Sequence, residues 1–164
     1  MGACHRARVN ISKFVLVVGN ARSGTTIVGS IVDSHPHMVC ANETLASHLL
    51  WRGLSREQIL DEILENSASN HESGRPSAGY TYAIERPERT GPPTVFADKI
   101  WNPALLLVAG DVGLVGRISD VLGAEVALVH CVRNPFDSIA TMHRRSGATL
   151  EDRARWYFMH CDAV

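Results

Sequence analysis

The chain has 164 residues, enough for a single domain with a real core and too few for two ordinary ones. With 45% hydrophobic and 20% charged residues and a net charge of -1, the composition excludes a disordered or fibrous chain. It also excludes a broad basic field of the kind that nucleic acid or an anionic membrane attracts, so any anion recognition must be local.

The N-terminal "MGACHR" begins like a myristoylation site, but Arg6 stands where Ser or Thr is wanted. The apolar run "FVLVV" is far too short for a signal core or a membrane span. Cys4, Cys40, Cys131 and Cys161 form no CxxC pair, which argues against a zinc ribbon or a disulfide-dense secreted scaffold. Reduced, mostly buried thiols are expected, in a cytoplasmic chain with neither membrane nor nucleic acid as partner.

In chain order, "FVLVVG" (Phe14 to Gly19) predicts a parallel strand covered on both faces, being β-branched-rich and without alternation. "SGTTIVGSIVDSH" predicts a helix with Ile27, Val28, Ile31 and Val32 on one apolar stripe. "HMVCA" follows as a short strand. "SREQILDEILEN" predicts a helix capped by Ser55, with Gln58 at the capping-box position. The polar, Pro- and Gly-rich segment from Ser67 to Pro93 reads as a long surface excursion. "TVFADKI" (Thr94 to Ile100) is a further strand, and "VGRISDVLG" a helix stopping at Gly123. "VALVHCV" (Val126 to Val132) reads as a second doubly covered strand, and "PFDSIATMHRR" as a helix opened by Pro135. Strands alternating with helices imply one α/β domain over residues 1–164, its mainly parallel sheet flanked by helices. Ligands of such sheets sit beyond the carboxyl ends of the strands.

The first strand ends in "GNARSGTT", in which Gly19 and Gly24 have the spacing of a phosphate-binding P-loop. The position of that motif's Lys is Thr25, and the cation of the loop is Arg22. Backbone N–H groups, the helix N-terminus and the hydroxyls of Ser23, Thr25 and Thr26 suit a short anion, with Arg22 as a forked donor. Transfer of a γ-phosphate is poorly served without the Lys. Near the other end, Arg133 leaves "VALVHCV", and Thr141 lies eight residues later on the next helix. Alone, Arg133 could cap that helix or pair with Asp137, with Thr141 merely packed. Beside the first loop, the pair suggests a second phosphate clamp.

"GNARSGTT" followed by "VRNPFDSIAT" resembles the sulfotransferases that use 3′-phosphoadenosine-5′-phosphosulfate (PAPS). The resemblance implies a P-loop-like sulfotransferase core that transfers a sulfuryl group to a hydroxyl or amine, with no metal required. By the resemblance Arg22, Ser23, Gly24, Thr25 and Thr26, entered from Gly19, hold the 5′-phosphosulfate, while Arg133 and Thr141 hold the 3′-phosphate. The family usually has Ser where Thr141 stands. "RSGTTIVGSIVDSHPHMVCANET" is similar to the tyrosylprotein sulfotransferase branch, which implies Glu43 as general base. The residue itself could equally be a first-turn Glu of a helix beginning near Thr44. Lys99 in "FADKIW" corresponds to the Lys that steadies the moving sulfuryl group, though a Lys at a strand end is also a common solvated charge.

Two departures from that branch stand out. Ala97 replaces the Cys with which the family's counterpart of Cys40 is paired, so the secretory disulfide is unsupported. The resemblance runs from Phe14 to Cys161, whereas family members continue through a further strand, which implies C-terminal truncation. Competing expectations are a P-loop kinase or NTPase, which would bind ATP with magnesium, and a catalytically inactive sulfotransferase-like module. His35, His37 and Cys40 suggest a metal site only weakly, lacking a distant pair to complete a tetrahedral set. The acceptor, whether small molecule, carbohydrate or peptide, would contact the segments from Glu43 to Trp51 and from Tyr80 to Thr94.

Overall fold

The computed structural model describes residues 9–44, 52–77, 80–82, 84–85, 88–89 and 91–163. Its centre is β1 (Lys13–Gly19), which is buried along nearly all its length. β2 (Met38–Asn42), β5 (Val95–Lys99) and β6 (Glu125–Cys131) join it in one parallel sheet of order β2-β5-β1-β6. A two-stranded antiparallel hairpin, β3 (Arg75–Ser77) and β4 (Tyr80–Tyr82), forms a second, separate sheet. The helices are α1 (Thr25–Asp33), α2 (Arg56–Ser73), α3 (Asn102–Gly110), α4 (Leu114–Leu122), α5 (Pro135–Ser146) and α6 (Leu150–Cys161). The α/β class with a parallel sheet flanked by helices is therefore the observed one. No helix among the described residues is long and apolar enough to cross a membrane.

Alternation along β1 distributes its side chains between two layers. Phe14, Leu16 and Val18 enter the larger core with Phe96, Ile59, Ile63, Ile118 and their neighbours from α2, α3 and α4. Val15 and Val17 face the opposite side, where Cys40, Ala97, Val28 and Val32 meet them. A third cluster, Ile139, Met142 and Tyr157, binds α5 to α6.

Three expectations are corrected. The α1 stripe is turned: Val28 and Val32 pack against the sheet, whereas Ile27 and Ile31 are exposed. Gly29 explains the rotation, since a Cβ there would lie 2.9 Å from Arg75 Nη1 and 3.4 Å from Cys40 Sγ, so the bare helix backbone approaches the sheet closely. The segment from Ser67 to Pro93 is not one surface loop. α2 continues to Ser73, and the hairpin follows, starting at the fully buried Arg75. Finally, β6 is the end strand of the sheet and is half exposed, with Leu128 at 59%, so it is not covered on both faces.

The outer edge of β2 is finished by side chains, as unpaired strand edges require. Asp33 Oδ1 accepts from the Cys40 N–H at 2.8 Å, and Asn66 Oδ1 from the Asn42 N–H at 2.7 Å. Arg75 donates to the Cys40 carbonyl at 2.6 Å, and Arg89 to the Met38 carbonyl at 3.0 Å. Arg75 also stands 3.3 Å from the Asp33 carboxylate, whose other oxygen accepts from the Ser67 hydroxyl at 2.8 Å. One buried ion pair thus ties α1, β2, α2 and the hairpin together.

The capping box on α2 is formed in both directions, Ser55 accepting from the Gln58 N–H and Gln58 from the Ser55 N–H. α4 ends on left-handed Gly123, and α5 begins with Pro135 in its first turn, as the sequence indicates. Among the described cysteines Cys40 is buried, Cys131 half-buried and Cys161 exposed, and all three are free thiols; the expectation of mostly buried thiols holds for Cys40 alone.

Candidate functional site

The carboxyl ends of the four parallel strands open into one cleft of about 970 Å³, at the place where α/β sheets hold their ligands. Each strand delivers a chemically distinct group to it.

β1 delivers the loop from Gly19 to Gly24. Gly19 has φ 152, and a Cβ there would stand 2.6 Å from the Cys131 carbonyl and 2.7 Å from Ser23 Oγ. Glycine is therefore required where the loop crosses the end of β6. The Ser23 N–H turns back onto the Asn20 carbonyl at 3.1 Å, and Arg22 adopts a left-handed φ of 68. Gly24, also left-handed, precedes α1, whose N-terminus carries no side-chain cap. The first-turn N–H groups of such a helix attract anions, and Thr25 and Thr26 line the cleft beside them. Ser23 departs from the expected set of hydroxyls: its Oγ is buried under the loop, without a hydrogen-bond partner, and does not line the cleft.

β6 delivers Arg133, whose Nη1 donates to the Arg22 carbonyl at 3.1 Å and so joins the two expected anion sites directly. Arg133 also stands 3.9 Å from Asp137, so pairing with Asp137 and lining the cleft are both realised. Thr141, on α5, faces the same cleft, and its hydroxyl accepts from Arg144 at 3.3 Å.

β5 and β2 deliver Lys99 and Glu43. The Lys99 ammonium donates to Glu43 Oε1, and the Glu43 N–H donates to the Lys99 carbonyl at 2.8 Å. Lys99 is 4% exposed, which removes the solvated-charge reading; an ammonium so buried needs the carboxylate beside it. Glu43, with a left-handed φ of 65, keeps its carboxylate partly open to the cleft. The helix expected to begin near Thr44 falls on residues outside the described ones, as does the segment from Leu45 to Trp51. Asp98, next to Lys99, is fully buried and accepts from the Thr44 N–H at 3.2 Å.

The structure adds residues that the motifs did not single out. Arg144 and Arg145 line the cleft from α5, as do Trp101 at the start of α3 and Trp156 on α6. The spacing was legible for the first two: Arg144 and Arg145 fall three and four positions after Thr141, on the same helix face. Tyr80 and Tyr82, alternate residues of β4, close the cleft from the hairpin, and the Arg145 guanidinium lies 4.4 Å over the Tyr80 ring. Burial, and then the neighbouring Arg145 cation, hold Arg22 below the usual arginine value, against the opposing pull of Tyr82 and Tyr80. Behind the loop, Asn20 donates to Cys161 Sγ at 3.2 Å and accepts from Asn102 at 3.4 Å, fixing the loop to α6 and α3.

His35 and His37 lie together with ring centroids 5.8 Å apart, while Cys40 is in the core beside Arg75. No group of three or more His, Cys, Asp or Glu side chains suited to a metal is found among the described residues.

No family model matches the chain, and no curated protein matches it. Among solved structures, a chain of the Pnkp1/Rnl/Hen1 RNA repair complex aligns with 99% of this chain at 12% identity and a TM-score of 0.35. This chain spans about half of that one, 49% of its length.

Proposed function

We propose that the chain is a sulfotransferase that uses PAPS as sulfuryl donor toward a hydroxyl or amine acceptor. The observation that carries the reading is the single cleft in which two anion-binding corners meet. The loop with Arg22 and the α1 N-terminus forms one corner, and Arg133, Thr141 and Arg144 form the other. About 970 Å³ admits a nucleotide with anionic groups at both ends. The loop lacks the Lys of a triphosphate site and keeps the arginine fork that suits a phosphosulfate. PAPS, when bound, supplies the activated sulfuryl group.

The chain's own residues divide the remaining work. Glu43 takes the proton of the acceptor hydroxyl. Lys99 and Arg22 balance negative charge beside it, together with the N–H groups opening α1. Arg133 and Thr141 hold the far phosphate, and Ser23 shapes the loop from beneath. Free Cys40, Cys131 and Cys161 suit the reducing cytoplasm, the compartment this reading assigns.

Calorimetric titration with 3′,5′-bisphosphoadenosine, against ATP with magnesium as comparison, tests the proposal. Binding of the bisphosphate and a marked weakening of that binding in Arg133→Ala support it; preferential binding of ATP with magnesium refutes it in favour of a P-loop kinase or NTPase. Arg22→Ala should abolish sulfuryl transfer, whereas Glu43→Ala should spare bisphosphate binding. Equal loss of binding in both variants would overturn this division of roles.

A further inference from the structure

We infer that Asp98 is a positioning residue for Glu43: its buried carboxylate holds the Thr44 N–H and so sets the turn that brings the Glu43 carboxylate to Lys99. Its consequence for catalysis rests on the reading of Glu43 as the base that takes the acceptor's proton.

Along β2 the main-chain groups point alternately to the two edges of the strand. Those of Met38, Cys40 and Asn42 point outward: the Met38 carbonyl accepts from Arg89, the Cys40 N–H donates to Asp33, and the Asn42 N–H donates to Asn66. The intervening groups face β5, and Glu43 extends that set, its N–H donating to the Lys99 carbonyl at 2.8 Å. A regular strand would therefore send the Thr44 N–H outward. Instead it donates to Asp98 Oδ1 at 3.2 Å, back on the β5 side. The left-handed φ of 65 at Glu43 makes the reversal. Such a backbone is unfavourable for a residue with a Cβ and persists where the surroundings fix it. Here the Lys99 carbonyl holds the N–H before the turn, and the Asp98 carboxylate holds the N–H after it. Thr44 Oγ1 is buried without a hydrogen-bond partner, so the anchor at that residue is its N–H.

Packing alone gives no reason for an acid at position 98. Asp98 stands in register with Leu16 of β1 and Ala41 of β2, which both belong to the larger core, and it is fully buried. An apolar side chain would suit that face. A carboxylate there carries a desolvation cost that donated hydrogen bonds must offset, and a main-chain N–H at the end of β2 is such a donor. Lys99, the next residue, projects to the opposite face, toward Gly29 of α1, and its ammonium donates to Glu43 Oε1. Two consecutive residues of β5 thus hold Glu43, Asp98 through the backbone that follows it and Lys99 through its N–H and its carboxylate. The Glu43 side chain is still 42% exposed, so a fixed orientation and access for an acceptor coexist.

The chain has two lysines, Lys13 and Lys99, so carbon-13 lysine labelling gives two ε-carbon NMR signals. Lys13, which pairs with Glu125 at 3.4 Å, is the internal reference. Glu43→Gln defines where the Lys99 signal lies once the carboxylate is gone. Asp98→Ala should move that signal most of the way to the same position. Asp98→Asn, whose amide oxygen can still accept from the Thr44 N–H, should leave it at the wild-type position. The Lys13 signal should stay in place throughout. In the wild-type chain the Thr44 amide should exchange with solvent at least about tenfold more slowly than an unstructured amide, which keeps the test decisive if Asp98→Ala does not fold. An unmoved Lys99 signal in Asp98→Ala, an Asp98→Asn signal displaced like that of Ala, or a Thr44 amide exchanging at the free rate overturns the inference. Titration with 3′,5′-bisphosphoadenosine reports on the donor site separately. Wild type and Asp98→Asn should bind it equally; failure of the wild type to bind removes the sulfotransferase reading, while the Lys99 signal still decides whether Asp98 sets the turn.

Discussion

Replacing Arg75 by Met probes a buried ion pair that ties the hairpin to α1 and β2. The Arg75 side chain is 2% exposed and that of Asp33 9%. Its guanidinium stands 3.3 Å from the Asp33 carboxylate, 2.6 Å from the Cys40 carbonyl and 3.3 Å from that of Ala41. Methionine preserves most of the length and packing, so the loss is chiefly electrostatic. Removing one partner of a buried pair costs about 3 to 5 kcal/mol, because the other charge is left without compensation. Asp33 still accepts from Ser67 and from the Cys40 N–H, which favours the lower end, near 3 kcal/mol. Urea unfolding followed by circular dichroism should show a lowered midpoint with an unchanged slope. Arg155→Met, which breaks the exposed pair with Glu151, is the control and should cost less than about 0.5 kcal/mol. Adding Asp33→Asn to Arg75→Met should recover part of the loss, since the uncompensated charge is then gone. The reasoning fails if Arg75→Met costs no more than the control, or if the double variant is less stable than the single one.

Gly19→Ala would set a Cβ 2.6 Å from the Cys131 carbonyl, a backbone atom that cannot move aside; a loss of about 1 to 3 kcal/mol and weaker bisphosphate binding should follow, read by urea unfolding and calorimetry. Arg133→Ala should weaken bisphosphate binding about tenfold to a hundredfold, with a shallower dependence on salt. Burial pushes the Cys40 thiol up from 9.0 to about 12, with Arg75 opposing, so iodoacetamide at pH 8 should label Cys161 in the native chain and Cys40 only after denaturation, as read by mass spectrometry. Because the folded state holds that proton more tightly, the associated stability is complete below pH 9.0 and is lost as pH rises toward 12, with a slope of up to about 1.4 kcal/mol per unit that Cys40→Ala should remove.

The sheet was legible in the sequence wherever local pattern and local environment coincide. "FVLVVG" is an apolar run without alternation, and β1 is indeed covered on both faces. "VALVHCV" has the same composition but occupies an end position, and sheet order is a non-local property that composition does not encode. α3 escaped notice because "NPALLLVAG" is apolar around its whole circumference, with Leu105 buried and Leu107 exposed, so no 3.6-residue stripe marks it. The segment after Ser67 misled for another reason. Its Gly, Pro and charge suggest solvent, yet Arg75 is drawn inward by a carboxylate 42 positions earlier and by the open edge of β2. The residues that the motifs single out, Arg22, Arg133, Lys99 and Glu43, line one cleft because each follows or ends a strand. The motifs did not reveal that Ser23 points beneath the loop, since its neighbour Gly19 and the end of β6 set that direction.

Among the described residues, Arg22 and Glu43 are the non-glycines with left-handed backbone, and both belong to the candidate site. Such a conformation costs a non-glycine residue about 1 to 2 kcal/mol. At Arg22 the backbone is held by groups other than its own side chain: the Ser23 N–H turns onto Asn20, and Arg133 donates to the Arg22 carbonyl. The side chain, moreover, is half-buried and crowded by the like charge of Arg145. Arg22→Gly should accordingly raise stability by about 0.5 to 1 kcal/mol, the relieved strain being partly offset by the greater chain entropy of glycine. Arg22→Ala removes the same charge but retains the strained φ, so it should be less stable than Arg22→Gly by about 1 kcal/mol in urea unfolding. Both variants should lose bisphosphate affinity together. Equal stability of the two would show that the loop relaxes without cost, and the strain argument would fall. A glycine variant that is more stable and no longer binds would mean that the loop accepts a strained backbone in order to aim one guanidinium into the cleft, a trade of stability for function.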